Sequence, residues 1–314
     1  MSSFNIVNYS VRPNKFIQRS LIFEGYKTIQ THIGLGLVNY VGLGSIWFSD
    51  FMMAHKMLHV DKMISIESDD IGYSRAKFNK PFKTVSVIND ISTQALKSLF
   101  DDHQFTNYPW FAWLDYDGAF DETVAEDLQL AIENAPTDTA FVVTFNAVGQ
   151  RYGNPKSRPG RLKSLFGDVV SDNLSKDDCD GNRLPELLAD SVLAKMKSIA
   201  ASARRPGGFI PCFRVVYKDG ADMVTAGGFL PSVQSSPMIR EAVQKVSWPA
   251  CPAIPVKTPP LTIREISVLQ AQLPCETKLT RDSIRQLGFD LEDCQIDAYA
   301  KFYKYYPMYA QIAT

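Results

Sequence analysis

The chain of 314 residues has no surplus of charge: 33 Lys and Arg stand against 34 Asp and Glu, for a formal net charge of −1. That excludes a chain-wide basic field for holding nucleic acid and leaves only a local patch to consider. Cysteine is scarce. The five present (Cys179, Cys212, Cys251, Cys275, Cys294) are odd in number and include no C-x-x-C pair. A zinc ribbon and a disulfide framework are thereby unsupported, and free thiols in a reducing, cytoplasmic setting are expected. The first residues lack the basic and apolar stretches of a secretion signal. Long apolar runs are missing too. The uncharged stretch 28–49 carries Gln30, His32, Asn39, Gly34, Gly36, Gly42 and Gly44, too polar for a lipid-facing helix, so no membrane partner is expected. No internal repeat is evident. With 45% hydrophobic and 21% charged residues, the chain reads as globular.

Helical and strand patterns alternate from about residue 37 to 205. Residues 14–30 form an amphipathic pattern, and 46–60 reads as helix without Gly or Pro. Strand-like runs cover 37–43, 63–67, 82–88, 110–115 and 139–145, with helical runs at 93–102, 122–134 and 184–204 between and after them. Runs at 208–217 and 223–229 flank Asp219-Gly220, a hairpin signal. The expected architecture is α/β: a Rossmann-like, seven-stranded, mostly parallel sheet closed by an antiparallel hairpin. Pro249, Pro252, Pro255, Pro259 and Pro260 then form a proline-rich linker to helix-like segments near 261–273, 280–288 and 292–304. This divides the chain into a Rossmann-like domain, 1–231, and a helical C-terminal accessory region, 232–314.

Ligands of open α/β sheets sit at the carboxyl ends of the strands. Those ends carry a consistent set here. Gly42 and Gly44, followed by Ser45, end the first strand and would let backbone approach a ligand at a helix N-terminus. The third glycine of a dinucleotide fingerprint is replaced by Trp47. Glu67 ends the second strand, where a carboxylate can accept from two ribose hydroxyls. Asp90 ends the third, and Ile91 beside it can pack on an aromatic base. Asp115 ends the fourth, followed by Tyr116 and Asp117.

Taken in order, this set resembles the class I S-adenosylmethionine-dependent methyltransferase superfamily over roughly residues 15–230. The resemblance implies S-adenosylmethionine as cofactor, with Gly42, Gly44, Ser45, Glu67, Asp90, Ile91 and Asp115 binding it. Tyr40 departs from the pattern, since an acid usually stands two residues before the first glycine; the amino group would then fall to backbone carbonyls or Asp115. Asp117 and Tyr116 follow as the catalytic or substrate-contacting candidates. No Asn-Pro-Pro-Tyr-type motif is present, which turns the expectation to O-methyl transfer, with the acceptor unidentified.

Other readings stay open. WFAWLDYDGAF at 110–120 is similar to the first motif of haloacid-dehalogenase-type phosphatases, with Asp115 as nucleophile, Asp117 as acid/base and Thr144 on phosphate, although Ala119 stands where Thr is usual and three strands precede it. A non-catalytic module holding a cofactor or nucleic acid is a further alternative. The pair Asp115-x-Asp117, with Asn146, could hold a divalent ion, as in many glycosyltransferases, but so short a motif does not favour a metal. His55 and His59 share a helix face, but Lys56 occupies the position where the zincin motif needs Glu. Arg151, Lys156, Arg158, Arg161 and Lys163 form a basic cluster that Gly153, Pro155, Pro159 and Gly160 mark as a loop. Its arginines Arg151, Arg158 and Arg161 are the substrate-binding candidates for a negatively charged acceptor. Finally, 299–309 interleaves aromatics with Lys301 and Lys304, a pattern that either stacks on nucleic acid or packs against the main domain.

Overall fold

The computed structural model describes residues 12–275 and 277–307. The chain begins with α1 (Pro13–His32) and then alternates: β1 (Asn39–Leu43), α2 (Ser49–Leu58), β2 (Lys62–Glu67), α3 (Asp70–Asn79), β3 (Val85–Asn89), α4 (Ser92–Asp101), the short α5 (His103–Thr106), β4 (Trp110–Ala119), α6 (Glu122–Asn134) and β5 (Thr139–Asn146). Next come α7 (Arg158–Phe166), α8 (Arg183–Ser202), β6 (Ile210–Asp219) and β7 (Ala221–Leu230), and after them α9 (Ser236–Val243), α10 (Ile263–Gln270), α11 (Arg281–Gln286) and α12 (Asp293–Phe302).

The seven strands run in the order β3-β2-β1-β4-β5-β7-β6. The first five are parallel, and β7 runs against both β5 and β6. Only β7 is therefore reversed; β6, paired antiparallel to it, points the same way as β5. Gly220, at φ +73°, makes the reversal between them. Side chains alternate across the sheet. Tyr40, Met63, Phe111, Trp113 and Val142 face one apolar layer, whereas Val41, Ile64, Ala112, Leu114 and Val143 face the other. The first layer is covered by α1 and α2, and the second by α4, α6, α7 and α8.

Ile239, Ala250, Ile266, Leu269, Ile284, Ile296, Tyr299 and Phe302 join the same apolar cluster as α1. Residues 232–307 thus pack their apolar side chains on the α1 side of the sheet. The Tyr305 hydroxyl donates to Glu24 on α1 at 2.7 Å, and Tyr299 stacks edge-on against Tyr306 with centroids 5.3 Å apart. The aromatics at 299–306 are used for packing; Tyr309 lies outside the described residues, as do residues 1–11.

Four expectations need correction. Three helices, α3, the short α5 and α9, were not expected. In α3, Gly72 and Ser74 dilute the helical pattern, while Asp69 caps the helix by accepting from the Gly72 N–H at 2.7 Å. Residues 158–166 are helix rather than loop, because Pro159 falls in the first turn, where its missing N–H costs nothing. The fourth strand runs past Asp115 to Ala119 through an irregularity in its pairing with β5. The second helix starts at Ser49 rather than Ile46, since Phe48 sits in the left-handed region at φ 46°.

Candidate active site

A cleft of about 440 Å³ opens where β1 to β4 end. Leu43, Gly44 and Ser45 line it after β1, Glu67 to Asp69 after β2, Asp90 to Ser92 after β3, and Asp115 to Asp117 along β4. Arg19 enters from α1 and Asp50 from α2. The lining holds six carboxylates (Asp50, Glu67, Asp69, Asp90, Asp115, Asp117) and one guanidinium. Such a concave acidic field draws cations.

Glu67 is the tightest-fitted of the acids. A Cβ on Gly44 would lie 2.7 Å from its Oε2 and 3.0 Å from the Ile66 carbonyl oxygen, and a Cβ on Gly72 would lie 2.9 Å from its Cδ. Gly44 is thus required for the loop to close over β2. The Asp69 N–H donates to Glu67 Oε1 at 3.0 Å. Burial pushes the Glu67 carboxyl pKa up, and the Asp69 N–H partly offsets this. Asp90 accepts from the Ile91 N–H at 2.8 Å, and Ile91 is 53% exposed at the cleft mouth.

Asp115 is gripped from α1. Lys15 Nζ lies 2.9 Å from its Oδ1 and 2.6 Å from its Oδ2, and also donates to the Tyr217 hydroxyl at 3.2 Å. Asp50 is brought in by Tyr40, whose hydroxyl donates to its Oδ2 at 2.6 Å. Position 40 thus carries no acid itself but holds the Asp50 carboxylate of α2 at the cleft. Burial raises the Asp50 carboxyl pKa, against the pull of Arg19 and the Tyr40 bond.

One expected site residue stands elsewhere, and another is engaged away from the cleft. Gly42 is inside β1 and does not line the cleft; a Cβ there would meet the Phe51 and Tyr40 rings at 3.2 Å. Tyr116 lines the cleft, but its hydroxyl donates to Asp127 Oδ2 at 2.6 Å, and burial holds its pKa well above the ordinary phenol value. Asp127 also accepts from Ser92 and, at 2.5 Å, from Thr93, so it ties β4 to the start of α4 from α6. The phenol is thus committed to the fold, and Asp117 is the β4 acid left facing the cleft after Asp115.

The basic cluster is largely neutralised by its own surroundings. Arg158 is buried, donating to the Cys179 carbonyl at 2.9 Å and to Asp180 at 2.6 Å. Arg161 forms a two-pronged pair with Glu122 at 2.6 and 2.8 Å, and Lys163 pairs with Asp172 at 2.7 Å. Arg151 and Lys156 are exposed. None of the five lines the cleft. Among the described residues, no three His, Cys, Asp or Glu side chains gather as a metal set, and no helix is long and apolar enough to cross a membrane.

Lys15, Arg19 and Asp50 were missed in the sequence. Lys15 and Arg19 are four apart on the buried face of the helix, and that spacing was the available signal. Asp50 carried none, because its place depends on the Tyr40 hydroxyl.

Sheet order, the single reversed strand β7 and the acids at successive strand ends together define a Rossmann-like fold of the class I methyltransferase type. Residues 7–314 match the profile of the family described as "Putative O-methyltransferase", and the chain belongs to that family. No curated protein matches the sequence. Similar solved structures include Trm1 from Pyrococcus horikoshii with S-adenosyl-L-methionine, at 13% identity and TM-score 0.45 over 73% of this chain and 58% of that one. They also include the O-methyltransferase from Bacillus cereus with SAH, at 13% identity and TM-score 0.36 over 66% and 80% of the two chains. Human methyltransferase-like protein 13 with SAH is similar at 12% identity and TM-score 0.38 over 73% and 92%. The phosphatase reading falls away with the family, and on geometry as well: Thr144 is fully buried, accepting from Trp113 Nε1 at 3.0 Å and bonded to Thr225 at 2.6 Å, so it is not available to a phosphate.

Proposed function

We propose that the cleft holds S-adenosylmethionine and that the chain transfers its methyl group to an acceptor hydroxyl. The observation that carries this is the convergence of Gly44, Glu67, Asp90 and Asp115, from four successive strand ends, on one acidic cleft. The residues fit such a ligand. Glu67 offers a carboxylate to ribose hydroxyls, and Asp90 offers one to the adenine amino group, with exposed Ile91 beside it for the ring face. Asp50 and Asp115 supply the acids for an ammonium, and the acidic lining suits a sulfonium.

When bound, S-adenosylmethionine supplies an electrophilic methyl on a positively charged sulfur. The protein's share is then mostly placement, since an in-line displacement gains much of its rate from held geometry. Lys15 fixes the Asp115 carboxylate, and Asp117 takes the proton from the acceptor hydroxyl. Arg158, Arg161 and Lys163 already have partners, so they give no support to an anionic acceptor. An acidic cleft favours a neutral or cationic one. The five free thiols suit a reducing compartment, and a cytoplasmic location goes with this reading.

Calorimetric titration with S-adenosylhomocysteine tests the cofactor; no heat at millimolar ligand overturns it. Asp117→Asn should keep S-adenosylhomocysteine affinity and lose turnover by roughly 10²- to 10⁴-fold, the span of general-base catalysis. Full turnover in that variant removes Asp117 from the chemistry and revives a base-free transfer.

A further inference from the structure

Arg19 is the guanidinium in the acid-lined cleft, and it is 6% exposed. Among the described residues it makes no hydrogen bond and has no carboxylate within the 4.0 Å of an ion pair. Its neighbour one turn back, Lys15, is by contrast fully engaged with Asp115. Asp50 is near enough to feel the Arg19 charge, but its Oδ2 is taken by the Tyr40 hydroxyl.

An arginine cannot shed its proton inside a protein, and a buried guanidinium that no carboxylate reaches by hydrogen bond is under-compensated. Placed where a ligand enters, the same cation is poised for an anion that arrives with the ligand. Its planar fork matches a carboxylate in two parallel hydrogen bonds. The rest of the lining repels anions, so the anion has to belong to a ligand that also carries positive charge. An α-amino acid moiety has that composition: a carboxylate for Arg19 and an ammonium for the acids around it.

The geometry points to Arg19 as the carboxylate-binding residue of the cleft, receiving the amino-acid end of the cofactor. This rests on the S-adenosylmethionine reading above. It also assigns α1, which lies outside the alternating β/α core, a direct part in recognition.

The test compares two nucleosides by calorimetry: S-adenosylhomocysteine, which carries the amino-acid group, and 5′-methylthioadenosine, which lacks it. Wild-type protein should bind the first at least tenfold more tightly. In Arg19→Met the Kd for S-adenosylhomocysteine should rise roughly 10- to 100-fold, the worth of a charged hydrogen-bonded pair, while that for 5′-methylthioadenosine stays within about twofold. Arg19→Lys should recover part of the loss. Without ligand, Arg19→Met should melt no lower than wild type, because it removes a buried charge that no carboxylate reaches by hydrogen bond or ion pair. If wild type binds neither nucleoside, the cofactor reading itself fails. If wild type prefers S-adenosylhomocysteine and Arg19→Met keeps that preference, the carboxylate subsite alone is wrong and the cofactor reading stands. A lower melting temperature with unchanged affinities makes Arg19 a structural residue and overturns the subsite as well.

Discussion

Lys15 and Asp115 form a pair whose two halves should cost unequal amounts to remove. The Lys15 side chain is 4% exposed and the Asp115 side chain 29%. In Lys15→Met, a side chain of similar length keeps the packing, and the Asp115 carboxylate turns to the water that already reaches it from the cleft. The cost is the charge-assisted contact alone, about 1–2 kcal/mol. In Asp115→Asn, the ammonium keeps its place beside Tyr217, in a site water scarcely enters, with a neutral amide where the carboxylate was. Breaking a pair from its exposed end, so that the buried charge loses its counter-ion, costs about 3–5 kcal/mol. Adding Lys15→Met to Asp115→Asn should then restore stability rather than lower it, since the second change removes the buried charge. Urea unfolding of the ligand-free protein, followed by the emission of Trp110 and Trp113 in the sheet, measures all three variants. Equal costs in the two single variants, or a double variant less stable than Asp115→Asn alone, would refute the reasoning.

Glu67 and Arg158 give two further expectations. Burial raises the Glu67 carboxyl pKa above its ordinary 4.5, so ionised Glu67 lowers native stability, with the cost absent below the unfolded value and complete once the pH exceeds the folded one. Glu67→Gln should accordingly raise the melting temperature of the ligand-free protein at pH 7, yet weaken S-adenosylhomocysteine binding by about 1–3 kcal/mol. Wild-type affinity should fall on acidification, beginning at a higher pH than an ordinary glutamate would give; a calorimetric profile that falls no earlier than an ordinary glutamate's, together with a lower melting temperature for the variant, would contradict this. Arg158→Ala should destabilise by roughly 2–4 kcal/mol in urea unfolding, because it empties a buried site and strands the Cys179 carbonyl. Arg161→Ala should change neither stability nor cofactor affinity measurably, and a strong loss of affinity there would return the basic segment to the cleft.

The parallel sheet and its strand-end acids were legible in the sequence for a local reason. A buried strand is an apolar run, and a carboxylate that stops such a run marks where the sheet meets solvent; Glu67, Asp90 and Asp115 all announced themselves this way. What depended on distant partners was not legible. Lys15 reads as an ordinary surface lysine until a residue 100 positions away arrives beside it. Tyr40 reads as a departure from the family pattern until its hydroxyl proves to carry Asp50. The basic run at 151–163 reads as a charged flap because its cancelling acids, Glu122, Asp172 and Asp180, lie on other segments. Tyr116, adjacent to the cleft acids, reads as a substrate contact until Asp127 claims its hydroxyl.

The place of α1 has a consequence for how this protein is made. Several partners of the helix are synthesised long after it: Asp115 lies 100 residues after Lys15, Asp219 lies 207 after Arg12, and Tyr305 lies 281 after Glu24. At roughly 5–20 residues per second, the ribosome needs about 15–60 s to go from Glu24 to Tyr305. Throughout that interval part of the buried face of an amphipathic helix lacks its cover. Closing contacts so distant in sequence is slow. Since α1 delivers both Lys15 and Arg19, a chain that stops before Tyr305 lacks one of the contacts that hold the helix carrying the cleft's cations.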